Sequence, residues 1–236
     1  MFLSVVKEKI IAPIFHLMFP HLCAGCSSDI LCDDEFICYK CFEDSPVTNF
    51  ALFKDNVVEK KFWGRINFEA ATAEFYFGKD SVMKNIIYEL KYKNHQQLGI
   101  YLGELMGKSL LNNPRFKDID AIIPLPLHKE KQKKRGYNQA ALLAHGIGNI
   151  LKIPVEENKM IRSHKTETQT KKSTVERWEN VRDKFEVLNH DLMENRHFLM
   201  VDDVMTTGAT IDACANELLK VAGVRVSLAF LAVASS

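Results

Sequence analysis

Two adjacent carboxylates close an apolar run in Phe198-Leu199-Met200-Val201-Asp202-Asp203, and a hydroxyl-rich turn follows at once, Val204-Met205-Thr206-Thr207-Gly208-Ala209-Thr210-Ile211. No other stretch restricts the fold so tightly. Four apolar residues bounded by polar turn chemistry read as a buried parallel strand. Beyond the turn, Ile211, Cys214, Ala215, Leu218 and Ala222 recur at helical spacing, and Gly223 stands where a helix stops. The predicted class is therefore α/β, with the acidic pair at the carboxyl end of a strand and the Thr-Thr-Gly-Ala-Thr turn opening a helix. In open α/β sheets ligands bind at that edge.

A helix start offers unpaired N–H groups and a partial positive charge, which suits a phosphate. Gly208 lets the backbone approach an anion because it carries no side chain. The two acids make the site more particular than a generic phosphate loop, since they must face something other than phosphate. Ribose hydroxyls are suitable partners, as is a magnesium ion shared with the ligand. The implied ligand is a ribose 5-phosphate, with phosphate on the loop and sugar hydroxyls on Asp202 and Asp203. The bland alternative is a solvated acidic turn before an ordinary helix. The loop is not a Walker A sequence, because the Gly-Lys-Ser/Thr ending is absent. From Val201 to Thr210 the chain resembles the phosphoribosyltransferases of type I fold, whose signature for phosphoribosyl pyrophosphate is an apolar strand, two acids and a Thr-Thr-Gly-x-Thr loop.

Cysteine placement divides the chain. Five of the six cysteines lie before residue 42, which is too uneven for a secreted disulfide scaffold and favours a metal site in a reducing compartment. Cys23-Ala-Gly-Cys26 and Cys38-Tyr-Lys-Cys41 form two Cys-x-x-Cys knuckles that can present four thiolates tetrahedrally to a structural zinc. A redox pair of such motifs is the rival reading. Cys32 reads as a spectator, and His21 as an alternative ligand or an ordinary histidine. The net charge of +1 gives no global preference for nucleic acid or membrane, so local basic clusters must carry any such argument. No apolar run is long enough to span a bilayer.

In chain order, residues 1–20 read as an amphipathic helix, with a membrane-surface or partner role as the alternative. Residues 42–64 show little periodicity and read as a connection. A strand is expected over Phe68–Phe77, then a helix capped by Ser81 through Val82, Ile86, Ile87 and Leu90. A second helix carries Leu98, Leu102, Leu105, Met106 and Leu110, and stops near Asn112-Asn113-Pro114. Asp120–Pro124 reads as a short buried strand. It leads into a basic loop, Lys129, Lys131, Lys133, Lys134 and Arg135, after which Asn138 can cap a helix through Leu142, Leu143 and Ile147. A basic loop at the same sheet edge is what a departing pyrophosphate needs; a solvated charge run is the alternative for the lysines. Arg162 to Phe185 is polar and aperiodic in its first half, as lids are. An apolar run over Val224–Val233 reads as a final strand.

The assembled pieces are similar to the ComF family of competence proteins, including the ComFC and GntX types. They are Cys23, Cys26, Cys38 and Cys41; Leu90-Lys91-Tyr92; Pro124-Leu125-Pro126; Arg135-Gly136-Tyr137-Asn138-Gln139; Thr168-Gln169; Arg177, Asn180 and Phe185; and the Asp202–Thr210 loop. The resemblance implies an α/β, type I phosphoribosyltransferase-like parallel sheet flanked by helices, with a small N-terminal four-cysteine zinc-ribbon module. It divides the chain into an N-terminal helix (1–20), the zinc module and connection (21–60) and the phosphoribosyltransferase-like domain (61–236). It implies a cytoplasmic protein of DNA uptake in natural transformation. Phosphoribosyl pyrophosphate and magnesium would sit on Asp202, Asp203, Val204, Met205, Thr206, Thr207, Gly208, Ala209 and Thr210, with Asp202, Asp203 and Arg135 serving catalysis and zinc on the four cysteines. Transfer of phosphoribosyl to an unknown acceptor is one expectation. The other is a non-catalytic sensor that contacts single-stranded DNA or a helicase, with Lys131–Arg135 on the backbone and Tyr92 or Tyr137 as stacking platforms. A glutamine-dependent enzyme is not expected, since no second domain is long enough and no nucleophile cysteine follows Met1.

Overall fold

The computed structural model describes residues 21–31, 35–78, 81–163 and 184–234. The helix read over 1–20, Cys32, and the stretch 164–183 with its Thr-Gln, Arg177 and Asn180 matches lie outside the described residues.

The α/β expectation holds. Four strands, β1 (Ala71–Phe77), β2 (Ala121–Pro124), β5 (His197–Met205) and β6 (Arg225–Ala234), form one sheet in the order β1-β6-β5-β2, and every pairing is parallel. In a separate two-stranded sheet, β3 (Met160–Ser163) pairs antiparallel with β4 (Lys184–Val187). The apolar runs that predicted β5 and β6 are buried on both faces, as a covered parallel sheet requires. Leu199, Val201, Ala229 and Leu231 pack on one face with α3 (Val82–Tyr92), α4 (Gln96–Leu110) and α6 (Gln139–Leu151). Phe198, Met200, Leu228 and Phe230 pack on the other with α7 (Ala209–Leu218) and the short helix α2 (Val57–Phe62). Alternate residues along each strand thus feed two separate cores.

Local chemistry sets most element ends. Asn138 caps α6, accepting from Ala140 N–H at 3.1 Å while its amide donates to the Leu125 carbonyl at 2.9 Å. Ser81 stands at the start of α3 but does not cap it; its hydroxyl turns back to the Gly78 carbonyl at 2.9 Å. The helix expected to run on to Gly223 ends at Leu218, where tighter bonds such as Val221 N–H to Leu218 carbonyl close the last turn. Gly223 instead takes a φ of 68° in the turn into β6. The basic stretch is not a loop: Lys129–Arg135 forms helix α5. It contains no Gly or Pro and is built from strong helix formers, and Gly136 ends it in the left-handed region at φ 82°.

The aperiodic stretch 42–64 carries more structure than its pattern predicts. Helix α1 (Tyr39–Glu43) runs into it, and Asn56 caps α2 by accepting from Val58 and Glu59 N–H at 2.9 and 3.1 Å. The Asn56 amide also donates to the Ala71 carbonyl at 2.9 Å, which fastens α2 to β1. Glu59 pairs with Arg115, and Arg115 in turn donates to the carbonyls of Phe50 and Ala51. Phe62 is fully buried and stacks on Phe230. Elements of one or two turns cannot show an amphipathic repeat, so their packing role is invisible in the pattern. Among the described residues, no helix is long and apolar enough to cross a membrane.

Candidate binding cleft and cysteine cluster

Parallel pairing of β2 with β5 sets Pro124 opposite Val201, and Leu125 N–H donates to the Val201 carbonyl at 2.9 Å. The chain leaving β2 therefore runs beside Asp202 and Asp203. Between them opens a cleft of about 160 Å³ whose lining includes Lys91, Lys131, Arg135, Arg162, Asp202 and Asp203. Asn138, Gln139 and Thr210 also line it. Elements far apart along the chain converge here because two strand ends are neighbours.

The two acids differ. Asp202 accepts Asp203 N–H on Oδ1 at 2.8 Å. Withdrawal from solvent and the neighbouring Asp203 charge push the Asp202 carboxyl up to about 7, against the opposing pull of Lys91 and Arg162. Asp203 is engaged at both oxygens: Oδ1 accepts Val204 N–H at 2.6 Å, and Oδ2 pairs with Lys91 Nζ at 2.9 Å. Arg135 donates to Gln139 Oε1 at 2.6 Å and lies over the Tyr92 ring, 5.4 Å from its centre. Lys133 and Lys134 are exposed and are not among the residues lining the cleft.

Behind the acids the loop turns as its sequence predicts. Thr206, Thr207, Ala209 and Thr210 are exposed, while Met205 is buried in the core. Gly208 precedes α7 with a φ of 73°, in the left-handed region that glycine tolerates. A Cβ there would also lie 2.5 Å from Cε1 of Phe62, so the position is closed to side chains by packing as well as by backbone geometry. Arg65 braces the loop from outside. It donates to Asp212 Oδ2 in the first turn of α7 at 2.8 and 3.2 Å and to the Thr207 carbonyl at 3.3 Å.

Reading by motif missed Lys91, Arg162 and Arg65 as residues of this region. Lys91 stood within the Leu-Lys-Tyr match and Arg162 opened the segment read as a lid; nothing in the sequence marks Arg65. Tyr137, expected as a stacking platform, is buried and donates its hydroxyl to the Leu90 carbonyl at 2.6 Å. Tyr92 is exposed and pairs with the exposed Tyr88 at 5.1 Å between ring centres.

The sulfurs of Cys23, Cys26, Cys38 and Cys41 lie within 4.8 Å of one another, and none is in a disulfide. Cys26 and Cys38 sulfurs are 3.8 Å apart. A regular tetrahedron with Zn–S bonds of about 2.3 Å has edges of about 3.8 Å, so the spacing fits that ion. Gly25 N–H and Cys38 N–H point at Cys23 Sγ, at 3.4 and 3.2 Å, as donors that would stabilise a thiolate. Hydrogen bonds from Ser28 hold Cys26 down to about 6, and burial pushes the Cys41 thiol up. A Cβ on Gly25 would meet Cys41 Sγ and Val82 Cγ1 at 2.8 Å, and its carbonyl accepts from Asn85 at 2.8 Å. The cluster thereby sits directly against α3.

No family model matches the chain. Among curated proteins it is similar to Competence protein F of Haemophilus influenzae, at 32% identity over 139 residues, which are 57% of this chain and 61% of that protein. It is also similar to Competence protein ComFC of Bacillus subtilis, at 36% identity over 101 residues, 42% of this chain and 38% of that protein. The matched region thus spans less than two thirds of these relatives. Among solved structures, the glutamine phosphoribosylpyrophosphate amidotransferase of B. subtilis aligns over 60% of this chain and 30% of that chain at 18% identity, with a TM-score of 0.39.

Proposed function

We propose that this chain, which is similar to Competence protein F and ComFC, binds phosphoribosyl pyrophosphate and acts in the handling of incoming DNA. One observation carries the ligand: an acid pair and a glycine-broken threonine loop share a strand end with the cations Lys91, Lys131, Arg135 and Arg162. Sugar hydroxyls need acceptors and phosphates need donors, and the cleft supplies both within one wall. The 5-phosphate would rest on Thr206, Thr207, Gly208, Ala209 and Thr210, where the first turn of α7 leaves N–H groups unpaired. The ribose hydroxyls would donate to Asp202 and Asp203.

Arg135 and Lys131 would hold the pyrophosphate. If an acceptor is used, its bond to the anomeric carbon forms as the bond to pyrophosphate oxygen breaks and that electron pair leaves with the pyrophosphate. Positive charge at the anomeric carbon needs no covalent nucleophile, and cations fixed at the departing oxygens lower the barrier. Magnesium, when bound with the ligand, supplies charge neutralisation at the pyrophosphate; oxygen donors such as the Asp202 and Asp203 carboxylates suit it. The four cysteines would hold a structural zinc, with every coordination position filled by protein.

A second reading, a non-catalytic sensor that contacts single-stranded DNA, draws support from the exposed Tyr88–Tyr92 pair beside Arg135. The test of the shared premise is calorimetry of the full chain with phosphoribosyl pyrophosphate and magnesium. Micromolar uptake is expected, weakened at least tenfold in the Asp202→Asn, Asp203→Asn double variant. No uptake, or uptake indifferent to both changes, overturns it. Labelled ligand offered with candidate acceptors then separates transfer from sensing.

A further inference from the structure

Lys91 is the last basic residue of α3, and its ammonium lies 2.9 Å from Asp203 Oδ2, with both side chains largely covered. The residues on either side of it are tied to the basic side of the cleft: Leu90 accepts the Tyr137 hydroxyl, and Tyr92 carries the Arg135 guanidinium on its ring. Lys91 therefore stands between the acids and the pyrophosphate cations, and it lines the cleft with both groups. Each Asp203 oxygen already has a partner, Val204 N–H on Oδ1 and Lys91 on Oδ2. Among the described residues, the Asp202 carboxylate accepts a hydrogen bond on Oδ1 and none on Oδ2. A ribose hydroxyl would therefore find Asp202 Oδ2 without a competing donor among the described residues, whereas one on Asp203 Oδ2 would share that oxygen with Lys91 or replace it.

On the reading given above, we propose that Lys91 is a ligand-exchanged binding residue: it holds Asp203 in the empty cleft and transfers to the pyrophosphate arm when phosphoribosyl pyrophosphate enters. Two adjacent carboxylates repel each other, and a cation on Asp203 keeps the pair together until sugar and metal arrive. The freed ammonium then meets the highest negative charge in the cleft, where a compact flexible cation is effective. A sugar phosphate without pyrophosphate offers no such destination. Lys91 thus adds to the preference for the activated sugar over ribose 5-phosphate, which shares the 5-phosphate and ribose contacts but none of those to the pyrophosphate.

The test compares phosphoribosyl pyrophosphate with ribose 5-phosphate, each with magnesium, binding by calorimetry to the zinc-loaded full chain and to Lys91→Met and Lys91→Arg. Loss of a charge-assisted contact should weaken phosphoribosyl pyrophosphate about tenfold or more in Lys91→Met, while ribose 5-phosphate changes less than about threefold. Lys91→Arg should restore most of the difference. Equal losses for the two ligands, or none, would make Lys91 only a strut for Asp203 and overturn the exchange. If Lys91→Met does not fold, Lys91→Gln, which keeps a hydrogen-bond donor without the charge, carries the same comparison. Wild-type protein that binds neither ligand would remove the proposed function itself. That outcome is distinct from wild-type binding with an unaffected variant, which removes only the exchange.

Discussion

At the cysteine cluster four sulfurs turn toward one another; at the acid pair the polar groups line an open cleft. Both centres are built on short motifs at element ends, and both draw on backbone N–H donors. They differ in what completes them. Four protein donors would close the first around one ion, which would leave no position for a substrate. In the second, two acids and four cations share a cavity with one lysine–aspartate pair between them, and exposed threonines stand beside it. On the proposed reading, closure goes with a structural role and the open cleft with a ligand's place.

The hardest way to break this contrast is to remove the ion. Chelation of the zinc-loaded protein, or Cys38→Ala, should cost several kcal/mol, because metal-binding free energy is folding free energy in such modules. A fall in melting temperature of about 10 °C or more is expected, and elemental analysis should return one zinc per chain. The cleft should weaken as well, since Asn85 and Val82 join α3 to Gly25 at one end and Lys91 meets Asp203 at the other. A metal-free protein with unchanged melting would make the closed centre dispensable.

The next largest effect lies under the cleft. Gly208→Ala should destabilise by about 2–4 kcal/mol, combining left-handed strain with displacement of the Phe62 ring. Chemical denaturation measures it. A companion change, Phe62→Leu, should return part of the loss by making room, which a purely conformational cost would not allow. Here sequence and structure part company. Strand β5, its acids, the glycine turn and the cysteine knuckles were legible, because each is a local pattern with its own periodicity or spacing. The support beneath them was not. Phe62, Arg65 and the Glu59–Arg115 pair come from elements too short to show a repeat, and Arg65 meets Asp212 across 147 positions of chain. The lysines of α5 looked alike in sequence, yet Lys131 lines the cleft while Lys133 and Lys134 do not.

Asp202→Asn sharpens the contrast from the other side. It should weaken phosphoribosyl pyrophosphate by roughly 10–100-fold while leaving the fold intact, since a lost charged acceptor is worth about 1.5–3 kcal/mol. Above neutral pH the variant should melt slightly higher than wild type, because it removes one of two neighbouring negative charges. Loss of binding with gain of stability is the signature of a group held for a ligand; a cysteine variant should lose both.

The smallest effect separates two acids that burial treats alike. Glu74 on β1, hydrogen-bonded by Ser109 at 2.8 Å, is also pushed up to about 7 by withdrawal from solvent. For both acids the folded state binds its proton more tightly than the unfolded chain does. Their stabilising contribution is complete below the ordinary carboxylate range near pH 4 and is lost as pH rises through about 7. Glu74→Gln and Asp202→Asn should each flatten that decline, by roughly 1–2 kcal/mol between about pH 5 and 8. Only Asp202 belongs to the cleft. Wild-type affinity for phosphoribosyl pyrophosphate should therefore rise from about pH 6 to 8 as Asp202 ionises, with proton release seen in calorimetry across buffers of different ionisation heat. Glu74→Gln should keep that rise and Asp202→Asn should abolish it. If the two variants altered the binding profile equally, the pH dependence would belong to the fold as a whole, and the cleft would lose its claim to a carboxylate reserved for the sugar.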